Sequence, residues 1–388
     1  MDNKNIVEKL KPGEIREFFD MRDLVYSRTI FGTGFDSSTI FPAAYNMSRE
    51  CADNHWIVKS EGRIVAGVGS IPSVMNFAGE RISVGKITGV ATDQREGGKG
   101  YMSAIMNEIR AYYKKEGVMA SCLTGERKRY RNFGYEKTGV SYNFQITKKN
   151  IKELPPDTVN LSLREIERGD EEAIGFAKTL HDRDVVHFER GTDDFYNLMI
   201  HWYNKPYAAT CADGSLAGYM ILSKDAKRIY EIFAKTPDLF EAMIKAAVGV
   251  FGDIALTLPP WRADDIRRIM RICENYTITN SGNWLINDWE TIIRALMKAK
   301  TSYTDMHDGR LNLGIDGYGT LCMSVTSNAV SCALSNEPPD FTVDAFAAAR
   351  LLCGHGSPVY TADIPKAVMP IVLAWFPLPL SWPYPDAV

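Results

Sequence analysis

Histidine is scarce in this chain, with six in 388 residues, at 55, 181, 187, 201, 307 and 355. Only His55 falls in the first 148 residues, at the entry to a predicted strand, where a packing role is expected. That region therefore offers no Ser-His-Asp or Cys-His constellation for nucleophilic catalysis. Cysteine pairs are missing too: the seven cysteines, at 51, 122, 211, 273, 322, 332 and 353, include no C-x-x-C. An odd set of isolated thiols in so long a chain reads as reduced, packed side chains, and nothing in their spacing calls for a disulfide framework or a metal. There is no excess of positive charge. The 45 Lys and Arg are set against 48 Asp and Glu, a net charge of −3, which argues against a dedicated nucleic-acid binder. No uncharged apolar run reaches the ~18 residues of a membrane helix. The opening MDNKNIVEKLKPGE has no apolar centre of the kind a secretory signal carries. A soluble, cytoplasmic protein without a membrane span is the expectation.

What is present is ordinary globular material, 45% hydrophobic and 24% charged, with enough chain for two or three domains of about 150 residues. Residues 13–29 set Ile15, Phe18, Phe19 and Leu24 at helical spacing. Strand pairs follow, turning at Glu61-Gly62 and at Ala78-Gly79. SVGKITGVATD reads as a strand, and residues 101–117 as a helix with Met102, Ile105, Met106, Ile109 and Tyr112 on one face. MASCLTGE is a further strand, on which Cys122 is expected to pack and not to act as a nucleophile. The polar, proline-bearing stretch 149–158 reads as a linker. A helix near 170–182, a strand at 216–223 and a helix near 235–250 follow, and after 280 a run of strands precedes two helical stretches. The pattern predicts a mixed α+β chain divided at 1–148, 149–285 and 286–388.

Chemistry concentrates in Thr88 to Met106, TGVATDQREGGKGYMSAIM. A strand runs into a turn holding Gly97, Gly98 and Gly100, and an amphipathic helix starts at once. Such a turn is an anion site, because glycines let backbone approach a ligand and the first amides of a helix lack internal partners. Arg95 and Lys99 add positive charge. Two phosphate loops fail on spacing. A Walker A loop needs glycine where Asp93 stands and Ser or Thr where Gly100 stands, and the Rossmann G-x-G-x-x-G is not met after Gly98 and Gly100.

Arg95-Glu96-Gly97-Gly98-Lys99-Gly100 resembles the (Q/R)-x-x-G-x-(G/A) pyrophosphate loop of GCN5-related N-acetyltransferases (GNAT), and ERKRYRNFGYE, with Tyr130, Phe133, Gly134 and Tyr135, resembles a second segment of that superfamily. Over its full length the chain is similar to the Eis (enhanced intracellular survival) family, by motif in the first third and by segment order beyond it. The resemblance implies two tandem GNAT-like domains and a C-terminal sterol-carrier-protein-like α+β domain. The second domain is degenerate, since it lacks an Arg-x-x-Gly-x-Gly loop. The implied activity is acetyl-CoA-dependent transfer to a primary amine by direct attack, the acceptor being an aminoglycoside, a polyamine or a lysine side chain, in a homo-oligomer for which a hexamer is one form. The contrasting expectation is a non-catalytic protein that binds coenzyme A or a lipid.

The same resemblance implies roles. Arg95, Glu96, Gly97, Gly98, Lys99, Gly100 and Tyr101 would hold the coenzyme pyrophosphate, and Thr88, Gly89 and Val90 the pantetheine arm and thioester carbonyl, with Gly125 and Glu126 completing the set. Tyr130 would donate a proton to the departing thiolate. Its neighbours Arg127, Lys128, Arg129 and Arg131 are expected to lower its pKa. The apolar, proline-rich end, AWFPLPLSWPYPDAV, is expected to lie in a groove through Trp375, Phe376, Trp382 and Tyr384, so that the terminal carboxylate of Val388 reaches the site as proton acceptor. Asp386 would add negative charge there.

Overall fold

A computed structural model describes residues 6–31, 34–155 and 158–388. Its strands form three sheets. The first runs in the order Val7–Lys9, His55–Ser60, Arg63–Phe77, Glu80–Thr92, Ala120–Leu123, Asn283–Ile286 and Glu136–Lys137, with Val186–Phe188 paired onto the far end of Arg63–Phe77. The turns fall at 61–62 and 78–79 as expected. One pairing in this sheet is short and leaves a gap. Glu80–Thr92 and Ala120–Leu123 run parallel and pair only from Val84 opposite Ala120 to Lys86 opposite Cys122. Beyond Lys86 the longer strand has no partner on that side among the described residues, and the sheet parts.

The second sheet runs Asn275–Thr279, Ser141–Ile146, Ile254–Leu258, Arg228–Ala234, Leu216–Leu222, Lys205–Thr210 and Ser162–Glu165. Strands therefore cross the expected boundaries at 148 and 285. Ser141–Ile146 lies in the second sheet, while Asn283–Ile286 inserts into the first, between Ala120–Leu123 and Glu136–Lys137. The stretch 149–158 is more than a tether, since Leu154 is buried and Ile151 packs on the second core, although residues 156 and 157 lie outside the described residues. The third sheet runs Ala329–Ser335, Gly319–Thr326, Gly309–Ile315 and Phe341–Val343. It packs Leu311, Leu313, Leu321 and Met323 against the helices Trp289–Thr301, Ala345–Cys353 and Met369–Trp375, and its core is continuous with that of the first sheet.

Two helices turn slightly away from the expected faces. In Ile15–Tyr26 the buried positions are Ile15, Phe18, Phe19 and Arg22, while Leu24 is 46% exposed. The i, i+3, i+4, i+7 stripe continues onto Arg22, so its fourth position is an arginine and not Leu24. In Tyr101–Glu116 the inner tyrosine is Tyr113, four residues after Ile109, and Tyr112 lies outward.

Candidate active site

The gap in the first sheet is shaped by a bulge. Gly67 lies opposite Ala91 and Gly69 opposite Thr88, so Val68 faces both Gly89 and Val90. A bulge takes an extra residue out of the ladder and leaves its peptide groups without strand partners. Gly89 sits at φ +59°, and a Cβ there would lie 2.6 Å from the Tyr45 hydroxyl, so both conformation and space demand glycine. Tyr45 shares a hydrogen bond of 2.7 Å with the Thr88 hydroxyl, which fixes the rim of the bulge.

At the end of this strand Asp93 accepts a hydrogen bond from the Arg95 amide and opens the short turn Gln94–Glu96. Gly98 and Gly100 follow at φ +80° and +79°, and the helix Tyr101–Glu116 starts at Gly100 with no side chain capping it. Its first amides are therefore open to an anionic ligand. The charged side chains pair within the loop, Arg95 with Asp93 at 3.0 Å and Lys99 with Glu96 at 2.7 Å. The backbone forms the cradle, and the side chains define its shape.

Across the gap, Ala120–Leu123 continues through Thr124, Gly125 and Glu126 into one helical turn, Arg127–Arg131. Gly125, at φ +152°, leaves room for a ring: a Cβ there would sit 2.3 Å from the Tyr130 side chain. Tyr130 is 5% exposed. Burial raises its pKa above that of a free phenol, Arg129 opposing the shift through its charge and a hydrogen bond. This reverses the expected direction. Arg127 and Arg131 turn instead to the buried carboxylate of Glu136, which Arg350 also reaches at 2.7 Å.

The C-terminal segment enters from the opposite side. The Val140 amide donates to Leu380 and the Trp382 amide to the Ser281 hydroxyl, both at 2.7 Å, and the Tyr384 ring stacks on Tyr230 at 4.0 Å. Arg190 clasps two carboxylates, reaching Asp386 at 3.0 and 2.8 Å and Glu231 at 2.9 and 2.6 Å. Trp202 donates its indole N–H to the Ala387 carbonyl at 3.2 Å. Val388 is buried against the N-terminal core. Asp386 is thus not a free negative charge in the site: it is 1% exposed, and the Arg190 charge holds its carboxyl below the usual range.

A cleft of about 330 Å³ lies where these pieces meet. Its wall includes Thr88, Gly89, Val90, Gly125, Glu126, Tyr130 and Val388. The loop 95–101 stands outside this cavity, at the exit of the same strand. The further wall residues that the sequence does not single out include Arg22, Ser37, Tyr45 and Trp202. Arg22 had a signal, its place in the apolar stripe of the first helix. It is fully buried, with its guanidinium 3.8 Å over the Tyr45 ring and bonded to Asp23 and Ser37, while its Nη1 has no partner among the described residues.

Two side chains are set aside by their surroundings. Cys122 is fully buried and its thiol is pushed well up by desolvation. His55 donates from Nδ1 to the Cys51 carbonyl at 2.6 Å, and burial lowers its pKa to about 3. Among the described residues no group of three His, Cys, Asp or Glu side chains is placed to hold a metal, and no helix is long and apolar enough to cross a membrane.

Residues 7–138 match the family of acetyltransferase (GNAT) domains. Among curated proteins no sequence matches this chain. Solved structures similar along the whole chain include a probable N-acyltransferase from Enterococcus faecalis V583, a conserved protein of unknown function, at 17% identity and TM-score 0.68, covering 99% of each chain. A GCN5-related N-acetyltransferase from Kribbella flavida has 16% identity and TM-score 0.67, covering 97% of this chain and 98% of that one. Eis1 from Mycobacterium abscessus has 14% identity and TM-score 0.69, covering 99% and 100%. The fold is thus the mixed α/β, GNAT-type architecture that the sequence suggests. By its N-terminal domain the chain is an enzyme of the acetyltransferase class, which uses acetyl-CoA and an amine acceptor.

Proposed function

We propose that the protein is an N-acetyltransferase in which Tyr130 and the terminal carboxylate of Val388 work across one cleft. The observation that carries this reading is the convergence of the bulged strand, Tyr130 and the last residue of the chain on the same cavity. Acetyl-CoA would supply the thioester. The open amides of the 95–101 turn and helix would hold its diphosphate, and the peptide groups of Gly89 and Val90 would polarise the reacting carbonyl. Tyr130, kept protonated by burial, would hand its proton to the leaving thiolate. Val388 would take the proton of the incoming amine, directly or through one water. A carboxylate near pKa ~3.5 is a weak base, but proximity and a nitrogen that becomes acidic as its bond to carbon forms make the transfer feasible. Direct attack is favoured because the one thiol on the neighbouring strand, Cys122, is buried and held protonated.

In this reading the chain keeps three units, the first two interlocked by exchanged strands and the third a sterol-carrier-like module. The filled core of that module supports a role in seating the terminal segment. We read the protein as a cytoplasmic homo-oligomer, a placement supported by seven free cysteines. The test is thiol release from acetyl-CoA across a panel of primary amines. Amine-dependent release that Tyr130→Phe suppresses while coenzyme affinity persists supports the proposal. Coenzyme binding with no amine-dependent release by the unaltered protein favours a binding protein instead.

A further inference from the structure

A second cleft, of about 500 Å³, lies between the second sheet and the terminal segment. It meets the first: Thr124 lines both, and the terminal segment contributes Ala387 to one and Val388 to the other. Its floor is the face of the second sheet turned away from the apolar core. Phe144 and Leu256 point into that core, while Asn143 and Thr257, adjacent to them in sequence, point the other way. Asn143 pairs in register with Thr257 on one side and Thr277 on the other, so amide and hydroxyl groups form a continuous row.

Among the described residues that line this cleft, Arg228 is the one charged side chain, in a protein where acidic residues outnumber basic ones, 48 to 45. It donates from Nη1 to the neutral oxygens of Asn143 at 3.3 Å and Thr257 at 3.1 Å. Six other arginines of this part of the chain carry a carboxylate partner, Arg164, Arg190, Arg262, Arg267, Arg268 and Arg271, while Arg168, away from this cleft, bonds the neutral Asn197 amide. Arg228 forms no ion pair among the described residues. A guanidinium held by neutral acceptors and facing a cavity keeps its capacity for a planar, two-point bond to a carboxylate or phosphate. A polycation would find no carboxylate on this floor and would face a positive charge.

We propose that this cleft is the acceptor site and that Arg228 selects amines carrying an anionic group, a carboxylate or a phosphate, with the amine at the Val388 end. The inference rests on the N-acetyltransferase reading and narrows it: polyamines and polycationic aminoglycosides become poor acceptors.

The test compares matched pairs of amines. L-lysine against cadaverine isolates a carboxylate, and glucosamine 6-phosphate against glucosamine isolates a phosphate. Both kcat/KM for acetylation and equilibrium binding in the presence of coenzyme A are measured. In at least one pair the anionic member should be preferred by about tenfold or more. Arg228→Gln should erase that preference and Arg228→Lys should retain part of it, with acetyl-CoA affinity unchanged in both. Which pair responds tells a carboxylate acceptor from a phosphate one. Equal or reversed preference in the unaltered protein overturns the inference, as does weaker acetyl-CoA binding in the Arg228 variants, which would make this cleft part of the coenzyme site. If Arg228→Gln fails to fold, the pairs measured on the unaltered protein and on Arg228→Lys still decide the matter. Anionic amines that bind selectively without being acetylated would leave the site standing and sink the acetyltransferase reading alone.

Discussion

Four basic residues flank Tyr130 in sequence, yet Arg129 is the one that acts on its phenol, because Arg127 and Arg131 turn to Glu136. Sequence adjacency gave the charges without the directions in which the side chains point, and burial then set the sign of the pKa shift. A phenol with a raised pKa stays protonated at neutral pH. The rate controlled by Tyr130 should therefore hold up to about pH 10 and fall only above it, and a pH profile of kcat checks this. Tyr130→Phe should lower kcat by about 10²–10⁴-fold while isothermal titration shows coenzyme A still binding. Gly125→Ala probes the same ring from behind. A Cβ there would meet Tyr130 at 2.3 Å on a backbone at φ +152°, so this variant should lose stability and kcat together. The place of Arg22 in an apolar stripe is visible in the sequence, but its burial is not. Only the fold shows the Tyr45 ring and the Ser37 hydroxyl that receive it.

At the scale of elements, much of the first sheet and the phosphate-type turn is legible, because period-two strands, paired turn residues and a glycine-rich strand-to-helix junction are local signals. The clasp on the terminal segment is not local. Arg190 and Asp386 lie far apart in sequence, and no spacing rule joins them or adds Glu231. The clasp orders the segment that ends in Val388. Arg190→Ala would leave two buried carboxylates unpaired and should cost about 3–5 kcal/mol of stability, measurable by urea unfolding. Stability within 1 kcal/mol of the parent, roughly the level of a surface pair, would show that the clasp is not the anchor.

The whole molecule is interlocked in a way that a division by composition does not reveal. Ser141–Ile146 and Asn283–Ile286 each complete a sheet built mainly by another stretch of chain, and the first core runs on into the third sheet and the terminal segment. A fragment ending at 148 would lack the strand between Ala120–Leu123 and Glu136–Lys137, and it should fail to give a cooperative unfolding transition. Buried histidines add a pH dependence on the same scale. His55 and His201 are held neutral by burial, with pKa values lowered to about 3, and His181 is lowered as well. The unfolded chain takes up these protons near pH ~6.5, so stability should fall as pH drops below that value, by about 1.4 kcal/mol per pH unit for each histidine until the folded protein also protonates. Urea midpoints between about pH 7.5 and pH 5 read this slope, and an unchanged midpoint would mean that these histidines titrate as in water.

The role of the Val388 carboxylate is isolated by moving the terminal charge and little else. Extending the chain by a few residues past Val388 retains every side chain around the cleft but carries the carboxylate away from it. With Val388 as proton acceptor, the extended protein should bind coenzyme A with the affinity of the parent while amine-dependent thiol release falls at least about tenfold. Full turnover in the extended protein would contradict that role.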